Sequence, residues 1–90
     1  MNSHTTEQFR KLLENLPEEI RRQAKEAYIQ FRKNPYYPPL YFKRVHSARP
    51  IYSVRISRDY RAVGIQDGNE IIWFWIGSHS DYDKILKRLK

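Results

Sequence analysis

The stretch Ile51–Ile76, IYSVRISRDYRAVGIQDGNEIIWFWI, decides how this chain folds. Its apolar residues recur at every second position, the period of a strand. Tyr52, Val54 and Ile56 fall on one side of an extended chain, Ser53 and Arg55 on the other. SRDY reverses the chain, and Arg61–Gln66 resumes as a strand. DGN makes a second hairpin turn into Glu70–Ile76, which is apolar on both sides, as a central, covered strand requires. Leu40–Val45 adds a strand before this hairpin pair, making four.

Upstream, the period changes to that of a helix. Phe9, Leu12, Leu13 and Leu16 lie at i, i+3, i+4 and i+7, and Thr5 with Gln8 has the spacing of a capping box. His4–Thr6 reads equally well as a short strand leading in. Pro17, followed by Glu18 and Glu19, opens a second helix, which Ile20, Ala24, Ala27, Tyr28 and Phe31 carry to Lys33-Asn34. Pro35 forbids continuation. The two helices form a hairpin hinged at Asn15-Leu16-Pro17, and NPYYPPL after them is a stiff turn and extended segment. Downstream, a last helix from Asp81 to about Leu89 turns Ile85, Leu86 and Leu89 inward. It gathers Lys84, Lys87, Arg88 and Lys90 near its C-terminus, where the helix dipole favours cations. The expected fold is α+β: two N-terminal helices packed on a curved, mainly antiparallel four-stranded sheet, with a short C-terminal helix. One face of the sheet carries the hairpin; the other is partly open and basic. With no linker, repeat or low-complexity tract, residues 1–90 read as a single domain.

Composition narrows the class. At 40% hydrophobic, with thirteen aromatics of which seven are Tyr, the chain builds one small core. The absence of cysteine excludes disulfides, thiolate nucleophiles and Cys-ligated zinc. No apolar run reaches the roughly 18 residues of a membrane span. MNSHTTEQFRKLLENL lacks a signal-peptide core. A soluble, cytoplasmic protein is expected. The net charge of +7 is unevenly spread, with +2 in residues 1–34 and +5 in residues 35–90. Leu40–Arg61 holds Lys43, Arg44, Arg49, Arg55, Arg58 and Arg61 against Asp59 alone. Such a surface attracts polyanions.

Two groups of residues can carry chemistry. The first follows the last strand, in GSHSDYD. His79 can exchange a proton near neutral pH, and Tyr82, one helical turn on, can share its side. Asp81 and Asp83 suit the first turn of a helix, and Asp83 can also orient His79. The bland alternatives are an exposed His and a Tyr packing the helix onto the sheet. The second group is the hairpin with Arg55, Arg58 and Arg61, whose guanidinium forks match phosphate oxygens. A simple turn puts Arg55 and Arg61 on opposite faces; a bulge brings them together. Arg58 reads equally as a solvated tip. Lys43 and Arg44 alternate, so one of the two faces the site. Tyr36, Tyr37 and Tyr41 can stack on bases, with packing the expectation. No phosphate loop, paired-carboxylate site or metal cluster is present, and no metal or cofactor is expected. Metal-free phosphoryl transfer then requires the 2′-hydroxyl of RNA as nucleophile, served by a base, a cation and an acid.

The helical hairpin ending in NP, the strands of YSVRISRDYRAVGI, and WFWIGSHSDYDKIL together resemble the RelE/ParE superfamily of bacterial type II toxin–antitoxin toxins, over nearly the whole chain. The ending is similar to that of the small branch with WIG-[ST]-H-x-x-Y-D. The resemblance implies a toxin partnered by a cognate antitoxin, and in RelE-like members an endoribonuclease, an mRNA interferase that cleaves mRNA on the ribosome by 2′-hydroxyl attack. It implies catalytic roles for His79, Arg61 and, more loosely, Tyr82, with Arg55, Arg58, Lys43 and Arg44 as RNA or phosphate binders. The paired lysines of the nuclease members are unmatched; Tyr52, Ser53 and Val54 stand there, leaving the general base unassigned. Two alternatives follow from the same superfamily: a ParE-like inhibitor of DNA gyrase without nuclease activity, and an inactive relative that only binds antitoxin.

Overall fold

The computed structural model describes residues 1–89, so Lys90 of the expected cationic helix end lies outside the described residues. The elements run β1 (Asn2–Thr5), α1 (Glu7–Glu14), α2 (Glu18–Lys33), β2 (Lys43–Arg44), β3 (Ile51–Ser57), β4 (Tyr60–Asp67), β5 (Glu70–Ser78) and α3 (His79–Leu89). The fold is α+β, with an open five-stranded sheet in the order β1-β5-β4-β3-β2. The expected four strands become five because β1 adds to the edge of β5. It runs parallel there, so the sheet is mixed. Asn2-Ser3-His4-Thr5 carries no apolar alternation. Its strand form comes from Ser3 facing Ile71 and Thr5 facing Trp73, far along the chain.

Thr5 is engaged in that strand, so the cap of α1 falls one residue later than expected. Thr6 has extended backbone, and its hydroxyl accepts the Phe9 N–H at 3.1 Å. Arg21 Nη1 donates to Leu16 O at 2.8 Å and Glu14 O at 3.4 Å, covering carbonyls at the end of α1 and tightening the helical hairpin. The segment expected as strand Leu40–Val45 shrinks to two residues. Pro38–Leu40 close a single 3-10 turn, and Tyr41 adopts left-handed backbone at φ 47°, which ends the extended run.

Both faces of the sheet are partly covered. On one, α1 and α2 bury Phe9, Ala24 and Phe31 against Val54, Ala62, Ile71, Trp73 and Ile76. On the other, α3 lays Tyr82, with Ile85, Leu86 and Leu89, over Ile51, Val63 and Trp75. Strict alternation would give Trp73 and Trp75 one face. The register shifts between Val63 opposite Trp75 and Gly64 opposite Trp73, so Phe74 is an extra residue and the two indoles enter opposite cores. No helix among the described residues is long and apolar enough to cross a membrane.

Candidate functional site

A second bulge builds the site. Arg55 lies directly opposite Arg61, whereas Ser57 lies opposite Tyr60, so Ile56 is the extra residue in β3. A two-residue turn without that bulge would separate the arginines onto opposite faces; with it they stand side by side. Ser53 lies opposite both Lys43 and Val63, which sets Lys43 on this same face, the one α3 leaves partly open. Tyr41, Lys43, Ser53, Arg55 and Arg61 line a depression of about 190 Å³.

The two arginines are fixed in different ways. Arg61 Nη1 donates to Ser57 O at 2.8 Å, Tyr60 O at 3.0 Å and Arg58 O at 3.2 Å, which ties it to the turn. Its Nε and Nη2 make no protein hydrogen bond among the described residues. The Arg55 guanidinium lies over the Tyr41 ring, 5.5 Å from its centroid. None of Lys43, Arg55 and Arg61 pairs with a carboxylate among the described residues. Like charges directly opposite across a ladder repel, so this arrangement favours a bound anion.

Ser53 is 2% exposed, and its Oγ accepts from the Tyr82 hydroxyl at 3.1 Å. Tyr82 is itself 6% exposed, and its ring meets His79 edge-on, with centroids 5.7 Å apart. Tyr82 therefore spans from the cationic depression to His79, beneath the surface. This is the packing of the last helix onto the sheet that the sequence also allowed for Tyr82: the apolar face of α3 carries the ring into the second core.

His79 begins α3 instead of preceding it. β5 runs on to Ser78, whose hydroxyl accepts the Asp81 N–H at 3.2 Å and caps the helix. The His79 N–H donates to Asp59 O at 2.7 Å, fastening the start of α3 to the β3–β4 turn that holds Arg61. The His79 side chain is 49% exposed, and its Nδ1 lies 3.4 Å from Asp83 Oδ2. It stands outside the lining of the depression. Arg44 is turned away, opposite Tyr52, and its Nε donates to His46 O at 3.0 Å. Arg58 is an exposed turn residue whose carbonyl serves Arg61. Sequence reasoning missed Ser53 and the outward placement of Tyr41. The usable signal for Ser53 was its alternation with Arg55. No group of three or more His, Cys, Asp and Glu side chains that could hold a metal occurs among the described residues.

Comparison with known proteins agrees with this architecture. Residues 18–84 match the family model of the ParE-like toxin domain. No curated protein sequence matches the chain. Among solved structures, the fold is similar to the RelB-RelE antitoxin–toxin complex from Methanococcus jannaschii, with TM-score 0.72 at 22% identity over 89% of this chain and 95% of that one. It is similar to the YoeB/ParE toxin from Agrobacterium tumefaciens, with TM-score 0.68 at 13% identity over 88% and 99%. The isolated E. coli RelE toxin gives TM-score 0.65 at 17% identity over 99% and 98%.

Proposed function

This chain belongs to the ParE-like toxin domain family, and from that premise we propose that it is a ribosome-dependent mRNA endonuclease. It is a toxin of RelE/ParE type. The observation that carries the nuclease reading is the bulge-paired Arg55 and Arg61, joined by Lys43 and unopposed by carboxylate, fastened to the helix that begins with His79. The three cations bind the phosphodiester, and Arg61, with its Nε and Nη2 uncommitted, stabilises charge on the pentacoordinate phosphorus. Arg44 and Arg58 have no part in this set. The 2′-oxygen bonds to the adjacent phosphorus as its proton leaves to a base, and the P–O5′ bond breaks as the 5′-oxygen takes a proton. The products carry a 2′,3′-cyclic phosphate and a 5′-hydroxyl. Asp83 beside Nδ1 favours the His79 tautomer protonated there, which leaves Nε2 to accept or return the proton. Tyr82 positions His79 and Ser53.

Residues 1–90 act as one unit in the cytoplasm, on ribosome-bound mRNA, held in check by a cognate antitoxin. The antitoxin is inferred from the family and from relatives crystallised as RelB-RelE complexes. The test is cleavage of mRNA on programmed ribosomes. Wild type cleaves; His79→Ala falls by roughly 10²–10⁴-fold, the range for losing a general acid or base. Arg61→Lys, which keeps a charge but loses the fork, falls by about 10²-fold or more. Absence of cleavage by wild type, with block of gyrase supercoiling and unchanged toxicity of His79→Ala, would replace the nuclease with a gyrase inhibitor.

A further inference from the structure

Glycines aside, Tyr41 alone among the described residues has positive φ, with φ 47° and ψ 45°. Left-handed backbone is costly for a bulky side chain and persists only where its surroundings impose it. Here they do. Pro38 and Pro39 restrict the chain before it, and the Tyr41 N–H donates to Pro38 O at 3.1 Å. Leu40 is buried in the core under α1 and α2. Phe42 stacks on Tyr52 at 4.9 Å and meets Phe31 edge-on at 5.0 Å. Both neighbours of Tyr41 are thus anchored, and Tyr41 is turned out between them, 61% exposed. A packing tyrosine would be buried; the path of the chain holds this one outward.

Its ring is also placed against charge. The Arg55 guanidinium lies over it, and Tyr41 closes one side of the depression formed with Lys43, Ser53 and Arg61. We propose that Tyr41 is a stacking platform for one RNA base, sandwiched between that base and the Arg55 guanidinium, while the phosphate next to the base sits among Lys43, Arg55 and Arg61. The proposal rests on the reading of the depression as an RNA site. It adds a base subsite to what was a phosphate site. Stacking on an aromatic face accepts any base, so the platform supplies affinity and placement, not sequence choice. It also gives Arg55 two roles, one towards phosphate and one holding the ring.

The experiment titrates the full chain with a fluorescent single-stranded RNA hexamer at low salt. A companion set replaces each base in turn by an abasic sugar. Tyr41→Phe is expected to bind within about twofold of wild type, since the ring is kept. Tyr41→Leu is expected to bind roughly 5- to 150-fold more weakly, the span measured for one stacked base. At one abasic position wild type should weaken to the same degree, and there Tyr41→Leu should cost nothing further. A Tyr41→Leu loss that persists at every abasic position would show that Tyr41 only supports Arg55, which overturns the platform. Lys43→Glu, on an exposed edge position, separates the two levels. If Lys43→Glu abolishes binding while Tyr41→Leu binds like wild type, the platform is wrong and the RNA site stands. If Lys43→Glu binds like wild type, the depression is not the RNA site and both fall.

Discussion

At the scale of single residues, Tyr82 and Gly77 decide whether α3 can hold His79 in place. Tyr82 and Ser53 are both buried and share one hydrogen bond. Tyr82→Phe keeps the ring against His79 but leaves the Ser53 hydroxyl without its donor. The expected cost is about 1–3 kcal/mol in urea or thermal unfolding, with mRNA cleavage reduced less than about tenfold, far short of the loss at His79. Abolished cleavage at unchanged stability would instead make the Tyr82 hydroxyl a proton carrier. Gly77 faces Arg61 across the ladder, and the Trp75 indole lies over it. A Cβ there would come within 2.7 Å of Trp75 Cζ2 and 2.8 Å of Cη2. Gly77→Ala must therefore displace a ring that also lies beside Tyr82, with centroids 6.5 Å apart. The expected outcome is a loss of about 1–3 kcal/mol, read by denaturation together with a change in the fluorescence of Trp75. Full stability would mean that the indole moves aside freely and is not what fixes the exit of β5.

At the scale of elements, what the sequence disclosed and what it hid have separate physical causes. The hairpins of β3, β4 and β5 were legible because their alternation and their turns are local. The same holds for α2, bracketed by Pro17 and Pro35. β1 was not legible as a settled strand, since a parallel partner some 70 residues away leaves no local pattern in four polar residues. The bulges at Ile56 and Phe74 were hidden for a related reason: each is a property of the pairing, not of either strand. Yet the bulge at Ile56 decides whether Arg55 and Arg61 meet. His46 carries no pattern in the sequence, yet it fastens an element. Its Nδ1 accepts the N–H groups of Ala48 at 3.0 Å and Arg49 at 2.9 Å, so Nε2 carries the proton and donates to Leu89 O at 2.6 Å. One ring thus ties the β2–β3 loop to the last turn of α3. His46→Ala should lower stability by about 1–3 kcal/mol through these lost bonds. Amide exchange should quicken first in residues 85–89 and in the loop, before the β4–β5 ladder. Uniformly faster exchange across the sheet would mean that the ring supports the whole fold and not the end of α3.

At the scale of the whole molecule, the net charge of +7 matters less than which cations are already matched. On the helices three are. Arg22 reaches Glu19 and Glu26, Lys11 reaches Glu7, and Lys84 reaches Asp81. The hydrogen bond from Arg22, then its charge, holds the Glu19 carboxyl below its ordinary pKa. Lys43, Arg55 and Arg61 on the sheet have no such partners among the described residues, so their field is left for an external anion. Each phosphate contact to a single strand contributes about −0.7 to the slope of log K against log salt, so three cations predict a slope near −2 for RNA binding. Arg55→Ala should make that slope shallower by about 0.7. Arg22→Ala, although it removes the same formal charge, should leave it unchanged, because Arg22 stands on α2 and is already compensated by two glutamates. Titrations from low to high salt with the three proteins distinguish a local site from a diffuse one. An equal change of slope in both variants would mean that RNA responds to net charge alone, and the alignment of Arg55 with Arg61 by the bulge would then carry no weight in binding.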